Sequence, residues 1–302
     1  MIDDPAAHGL ELLLEARAAT LPGGLQVHRA IPQARRRMVG PFVFLDEMGP
    51  ADLQPDAPAR VLTHPHIGLS TLTYLFEGEG LHKDSLGSVQ RILPGEVNWM
   101  TAGRGITHAE LLGPGQGSSR VHGLQLWVAL PGAREEQAPT FSHFDASATR
   151  LFEEGGVSGR LVSGTLWGER AAVEVSSPLF LVDAWLEAGA VLQLPATHPE
   201  RAAYVVSGGV ELGAARIREK EIGFFPAGGE VLLCATERTH LVLLGGEPLE
   251  GPRHIRWNFV SSSKDRLAQA VEDWRHQRFP RVPGETRFIP LPEDGDAPVD
   301  YP

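Results

Sequence analysis

Cysteine is nearly absent from this chain, with Cys234 the only one in 302 residues. That excludes an internal disulfide and any zinc cluster built on several thiolates, so metal chemistry here must use nitrogen and oxygen donors. Cations are also scarce relative to anions: 27 Lys plus Arg stand against 38 Asp plus Glu, a formal charge of -11. Such a chain repels a phosphate backbone or an anionic membrane on average, so neither direct nucleic-acid binding nor membrane association is expected. No run approaches the ~20 apolar residues of a spanning helix. The N-terminal MIDDPAAHGLELLLEARAAT has an early acidic pair and no long apolar core, unlike a secretory signal, and the expected location is the cytoplasm. Two catalytic signatures are missing as well. There is no G-x-S-x-G elbow, and the Gly103-Arg104-Gly105 turn is not followed by the lysine and hydroxyl of a P-loop.

What is abundant is punctuation. The 34 glycines and 24 prolines are dispersed, separating many short apolar runs, which is the pattern of a mainly β fold built as a sandwich or barrel. Strands are expected at 24–29, 42–46, 70–76, 89–93, 96–100, 107–111 and 122–130. The polar, Pro-bracketed PGAREEQAPT then reads as a connector, dividing the chain into barrels at 1–135 and 136–302. A second series follows at 180–185, 191–194, 202–206, 222–226, 231–235 and 241–245. Tyr74-Leu75-Phe76-Glu77-Gly78 aligns weakly with Tyr204-Val205-Val206-Ser207-Gly208, and Thr101-Ala102-Gly103 with Pro226-Ala227-Gly228, as two copies of one barrel would. One helix is expected in SSSKDRLAQAVEDWRHQRF, with Ser262 and Asp265 as a capping box and Leu267, Ala270, Val271 and Trp274 on one face. The Pro- and acid-rich remainder reads as an irregular tail wrapping the surface.

The chemistry concentrates in two segments of the first half. In THPHIG, His64 and His66 are two apart, so on a strand both point to one face, and Pro65 favours extended backbone at His64. In GRGITHAE, His108 and Glu110 repeat that spacing after a Gly-rich turn. Three imidazoles and a carboxylate make a metal shell suited to iron, manganese, copper, nickel or zinc, with positions left open for water, dioxygen or substrate. Each pair alone is more often a turn or a solvated strand edge than a ligand pair; the two together support one another. Trp99, Met100, Gln125 and Trp127 are candidates to line a pocket for a flat ligand, although core packing explains them as well. His82 reads as a turn histidine bonded to Asp84 or Ser85, His122 as a packed strand residue, and His143 as isolated from any second ligand.

The strings RMVGPFVFLDEMGP, HPHIGLSTLTYLFEGE, HKDSLGS, PGEVNWMTAGRGITHAE, HGLQLWVALP, GGEPL and DWRHQRF, in that order from about Arg37 to Phe279, resemble the pirin family of the cupin superfamily. The resemblance implies a bicupin, two antiparallel β-barrels of jelly-roll type, with one divalent metal in the N-terminal barrel. The ligands it implies are His64, His66, His108 and Glu110. Iron(II) is the first expectation, with copper, nickel, manganese and zinc as alternatives. The second-half positions equivalent to the ligands are Leu194, Ala196, Leu233 and Ala235, none of which can ligate, so a metal-free C-terminal barrel is expected. The implied activity is that of a quercetin 2,3-dioxygenase, acting on a flavonol and dioxygen with Glu110 as base. The implied alternative is a metal- or redox-sensing regulator that works through a protein partner, and fold does not choose between them.

Overall fold

A computed structural model describes residues 9–21, 24–53, 58–113, 120–294 and 299–300. The chain is mainly strand, with one α-helix, Lys264–Arg275, among the described residues. It forms two compact units, and neither is a continuous half of the sequence. One comprises residues through Ala18, His28–Glu47 and Ser147–Leu249; the other comprises Ala19–Val27, Met48–Ala146 and residues from Glu250 on.

In the first unit one antiparallel sheet runs, in hydrogen-bonded order, Leu12–Glu15, Glu221–Phe225, Glu200–Ser207, Thr239–Gly246, Leu179–Leu186, Val157–Leu166 and Arg150–Glu154. A four-stranded sheet runs Val191–Leu194, Val231–Ala235, Gly209–Leu212 and Ala215–Arg218. Alternating apolar side chains from both sheets, among them Leu161, Phe180, Leu192, Val205, Ile217 and Leu243, form one buried core. Leu194, Leu233 and Ala235 belong to that core, while Ala196 is exposed.

The other unit is built the same way. One sheet orders Val89–Ile92, Gly80–Asp84, Ile106–Leu112, Ala59–His66, Arg287–Phe288 and Val299–Asp300. A second sheet carries Thr140–Phe144, Val97–Thr101, Leu69–Glu77 and Arg120–Ala129 as successive neighbours. All these pairings are antiparallel except Phe288 beside Thr63, which is parallel.

The expected division at 135/136 differs from this arrangement at both ends. PGAREEQAPT is not a linker. It makes a short turn, Gly132–Arg134, and leads into Thr140–Phe144, which pairs with Val97–Thr101 of the histidine-bearing unit. The helix also belongs there. Leu267, Ala270, Val271 and Trp274 are buried as expected, and they cover Ile67, Phe259 and Phe288. Its N-cap is Ser263, whose hydroxyl accepts from the Arg266 N–H at 3.3 Å, one residue later than the capping box predicts. Ser262 instead donates through Oγ to Glu135 at 2.8 Å, and the Glu135 carboxylate also accepts from the Ser262 N–H and the Ser261 hydroxyl. Arg253 Nε lies 3.0 Å from Glu135 Oε1, with both side chains almost wholly buried. The tail is not wholly irregular, since Arg287–Phe288 adds a strand beside Thr63.

Candidate metal centre

The centre lies where the Ala59–His66 and Ile106–Leu112 strands pair. His64 is the register partner of His108, and His66 of Ile106. Alternation then turns His64, His66 and His108 to one face, with the His64 and His108 ring centroids 4.3 Å apart. The register shifts between His108 and Glu110: His108 faces His64, but Glu110 faces Val61, so the His64 strand carries one extra residue. This is a bulge, and it re-aims the side chains beside it.

All three histidines are buried, at 6%, 1% and 1% exposure, and one ring nitrogen from each lies within 4.8 Å of the others. Backbone carbonyls assign two of the tautomers. His64 Nδ1 lies 2.8 Å from the Leu62 carbonyl oxygen and His66 Nδ1 lies 3.1 Å from that of Asn258. A carbonyl only accepts, so both protons sit on Nδ1 and both Nε2 atoms carry a lone pair. His66 Nε2 faces His108 Nε2 at 3.1 Å. Burial pushes the His64 imidazole down to about 4, and the His66 and His108 imidazoles well below the usual histidine value, so the rings are held neutral. Neutral, convergent imidazoles are the donor chemistry a divalent transition metal requires.

Glu110 is placed less simply than its spacing suggests. Its carboxylate comes within 4.8 Å of ring nitrogens of His82 and His108, so the expected four-donor shell takes the form of two overlapping triads that share His108. Burial raises the Glu110 carboxyl above its usual range, against the lowering influence of His82 and Thr73. The Thr73 hydroxyl lies 3.4 Å from Glu110 Oε1 and 2.9 Å from Gln125 Oε1, one proton between two acceptors.

His82 is the residue that sequence reasoning underrated. It bonds Asp84 as expected, Nε2 to Oδ2 at 3.1 Å, but from within the strand Gly80–Asp84 rather than a turn, and it is buried. Its Nδ1 lies 3.4 Å from His108 Nδ1, and its ring stacks on Phe141 at 4.4 Å. Asp84 is fully buried and also accepts from the Leu86 and Ser88 N–H groups. Burial alone would raise its carboxyl, but the His82 and Ser88 hydrogen bonds outweigh that and hold it below the usual range. The available signal was His82-x-Asp84, the same two-residue spacing as the other pairs.

The four wall candidates separate by strand alternation. Trp127 sits edge-on to His66 at 5.2 Å, Gln125 bonds Thr73, and Met100 packs with Ala102, Ile106 and Phe141. Met100 pairs across the sheet with Thr71, and Thr71 with Trp127, so the three candidates share the face of Thr73. Trp99 pairs with Leu72 on the opposite face, where its Nε1–H donates to Thr101 Oγ1 at 3.2 Å. That residue is removed from the wall. His122 packs edge-on against Phe76, as expected of a strand residue. His143 is not isolated: Asn98 Oδ1 takes its Nδ1, and Glu96 and Asp145 lie 3.7 and 3.5 Å from its Nε2.

Comparison with known proteins places the chain in a family. The family model described as Pirin matches residues 24–128, and that described as Pirin C-terminal cupin domain matches residues 181–280. A pirin-like protein of Caulobacter vibrioides is 50% identical over 94% of this chain and 100% of its own length. The chain belongs to the pirin family. Mouse pirin is 31% identical over 84% of the chain and 88% of its own length. Among solved structures, a quercetin 2,3-dioxygenase from Acinetobacter baumannii superposes with a TM-score of 0.85 at 30% identity, covering 96% of this pirin and 94% of that chain. The fold is therefore that of a two-domain cupin.

Proposed function

We propose that this pirin is a metal-dependent flavonol 2,3-dioxygenase, with His64, His66 and His108 holding one divalent metal and Glu110 serving as both ligand and base. The observation that carries the reading is the convergence of three buried, neutral imidazoles, two with their tautomers set by backbone carbonyls so that Nε2 is free to ligate. A divalent metal bound there would acidify the flavonol hydroxyl and hold substrate against dioxygen.

The protein's own groups supply the rest. Glu110, its carboxyl raised by burial, is suited to take the 3-hydroxyl proton. The Thr73 hydroxyl lies 3.4 Å from Glu110 Oε1 and donates to Gln125 Oε1 at 2.9 Å, so once Glu110 takes the proton the Thr73 oxygen is the group beside it that can accept. Trp127, Met100 and Phe141 offer flat, apolar surface on the same side, which orients a planar ring system and keeps water from it. The reaction consumes one dioxygen and releases one carbon monoxide as the central ring opens.

The test is metal analysis followed by assay. Purified protein is analysed for bound metal, loaded in turn with iron(II), nickel(II), copper(II) and manganese(II), and supplied with quercetin in air. Bleaching of the flavonol with stoichiometric carbon monoxide, lost in Glu110→Gln and His108→Ala, is the expected result. Metal-loaded protein that consumes no dioxygen with any of a flavonol panel would overturn the dioxygenase reading and leave metal sensing in its place.

A further inference from the structure

The hydrogen bonds around His108 form a chain with one consistent direction. For His108 Nε2 to face the other two imidazoles as a lone pair, its proton must sit on Nδ1. Among the described residues the partner of that Nδ1–H is Nδ1 of His82 at 3.4 Å, which must then be the bare nitrogen. The His82 proton is therefore on Nε2, where it donates to Asp84 Oδ2 at 3.1 Å. Asp84 is fixed in turn, because its Oδ1 accepts from the backbone N–H groups of Leu86 and Ser88 at 2.9 and 3.0 Å. Phe141 stacked on the His82 ring holds the plane of the middle link.

We infer that His82 and Asp84 are positioning residues for the metal centre, an Asp84–His82–His108 relay that sets the His108 tautomer and orients its Nε2 toward His64 and His66. This rests on the metal reading proposed above. The relay gives the fully buried Asp84 carboxylate a role: an acceptor-only group at the end of the chain fixes both downstream tautomers. It also gives His82 a role other than ligand, although its ring nitrogen falls within 4.8 Å of His108 and Glu110 donors. The Nε2–H of His82 is committed to Asp84 and its Nδ1 lone pair to His108, so no ring nitrogen is spare for a metal.

The test uses full-length protein and needs no turnover. Metal-free wild type, His82→Leu, Asp84→Asn and His108→Ala are titrated with zinc(II) against a chromophoric chelator, and the cobalt(II) forms are compared by visible absorption. Asp84→Asn keeps an oxygen for the loop N–H groups, and far-UV circular dichroism checks that each variant is folded. Expected are an abolished site in His108→Ala and affinity weaker by about 10- to 100-fold in His82→Leu and Asp84→Asn, with the cobalt spectrum unchanged. In the zinc form, 15N shifts should place the His108 proton on Nδ1 and the metal on Nε2. Wild-type affinity in both relay variants overturns the relay while the centre stands. Loss in His82→Leu equal to that in His108→Ala, with an altered cobalt spectrum, makes His82 a ligand and also overturns it. A wild type that binds neither ion removes the centre itself.

Discussion

His66 and His108 meet nitrogen to nitrogen, Nε2 to Nε2 at 3.1 Å, in a site almost closed to solvent. With both protons on Nδ1, the two facing nitrogens are bare lone pairs in a buried site. In the metal-free protein this makes stability depend on acid. Burial lowers the His64 value from 6.5 to about 4, so the unfolded chain binds a proton that the folded one refuses across that interval. The stabilising neutrality is complete above pH 6.5 and is lost as pH falls toward 4, at about 1.4 kcal/mol per pH unit for each such group. Urea midpoints of metal-free protein at pH 7 and pH 5 should differ accordingly, and His64→Gln should flatten the difference.

Glu135 and Arg253 form a second buried contact, and it ties the segment before the helix to the turn at Gly132–Arg134. Glu135→Ala leaves the buried Arg253 guanidinium with backbone carbonyls but without the Glu135 countercharge, and three donors around Ser261 and Ser262 without that acceptor. A loss of about 3–5 kcal/mol in unfolding free energy is expected, read by denaturant titration. Arg253→Met in the Glu135→Gln background should recover part of it.

Gly68 follows the His66 segment with φ +67, and a Cβ there would meet the Val260 carbonyl oxygen at 1.9 Å. Gly68→Ala must push the Phe259–Ser261 strand away, and the Asn258 carbonyl that orients His66 lies beside that strand. The expected outcome is destabilisation by roughly 2 kcal/mol or more together with weaker metal retention on dialysis. Gly87→Ala, which meets nothing within 4 Å although its φ is also positive, is the control for backbone strain alone.

Trp127 is expected to serve substrate rather than metal. Trp127→Ala should leave metal content unchanged and raise the flavonol KM about tenfold, corresponding to roughly 1.4 kcal/mol of lost contact. Trp99→Phe, on the far face of the same sheet, should leave the KM unaltered.

Several strands of the histidine-bearing unit, such as Leu69–Glu77, Val97–Thr101 and Arg120–Ala129, were legible because turn residues bracket them and apolar positions alternate within them, whereas Gly80–Asp84 and Thr140–Phe144 read as a turn and a connector. His64, His66 and His108 were legible for the same reason, a two-residue spacing repeated on two strands. Glu110 was only partly so: the bulge opposite it is a property of pairing register, which one strand's sequence does not carry. Trp99 and Trp127 look alike in sequence, and the pairing of Trp99 with Leu72 separates them. The helix face was correct to the residue, since a 3.6-residue period is local. Where the helix would dock was not, because Ile67 and Phe288, which it covers, lie about 200 residues upstream and a short distance downstream.

That distance has a bearing on how the protein is made. The carbonyl that sets the His66 tautomer belongs to Asn258, 192 residues later, and the strand beside Thr63 is supplied by Phe288. During synthesis the histidines leave the ribosome early, with the Leu62 and His82 groups that orient His64 and His108, but the Asn258 carbonyl that orients His66 emerges only much later. The centre is thus begun first and completed late, and a metal ion meeting the nascent chain finds the imidazoles before it finds the site.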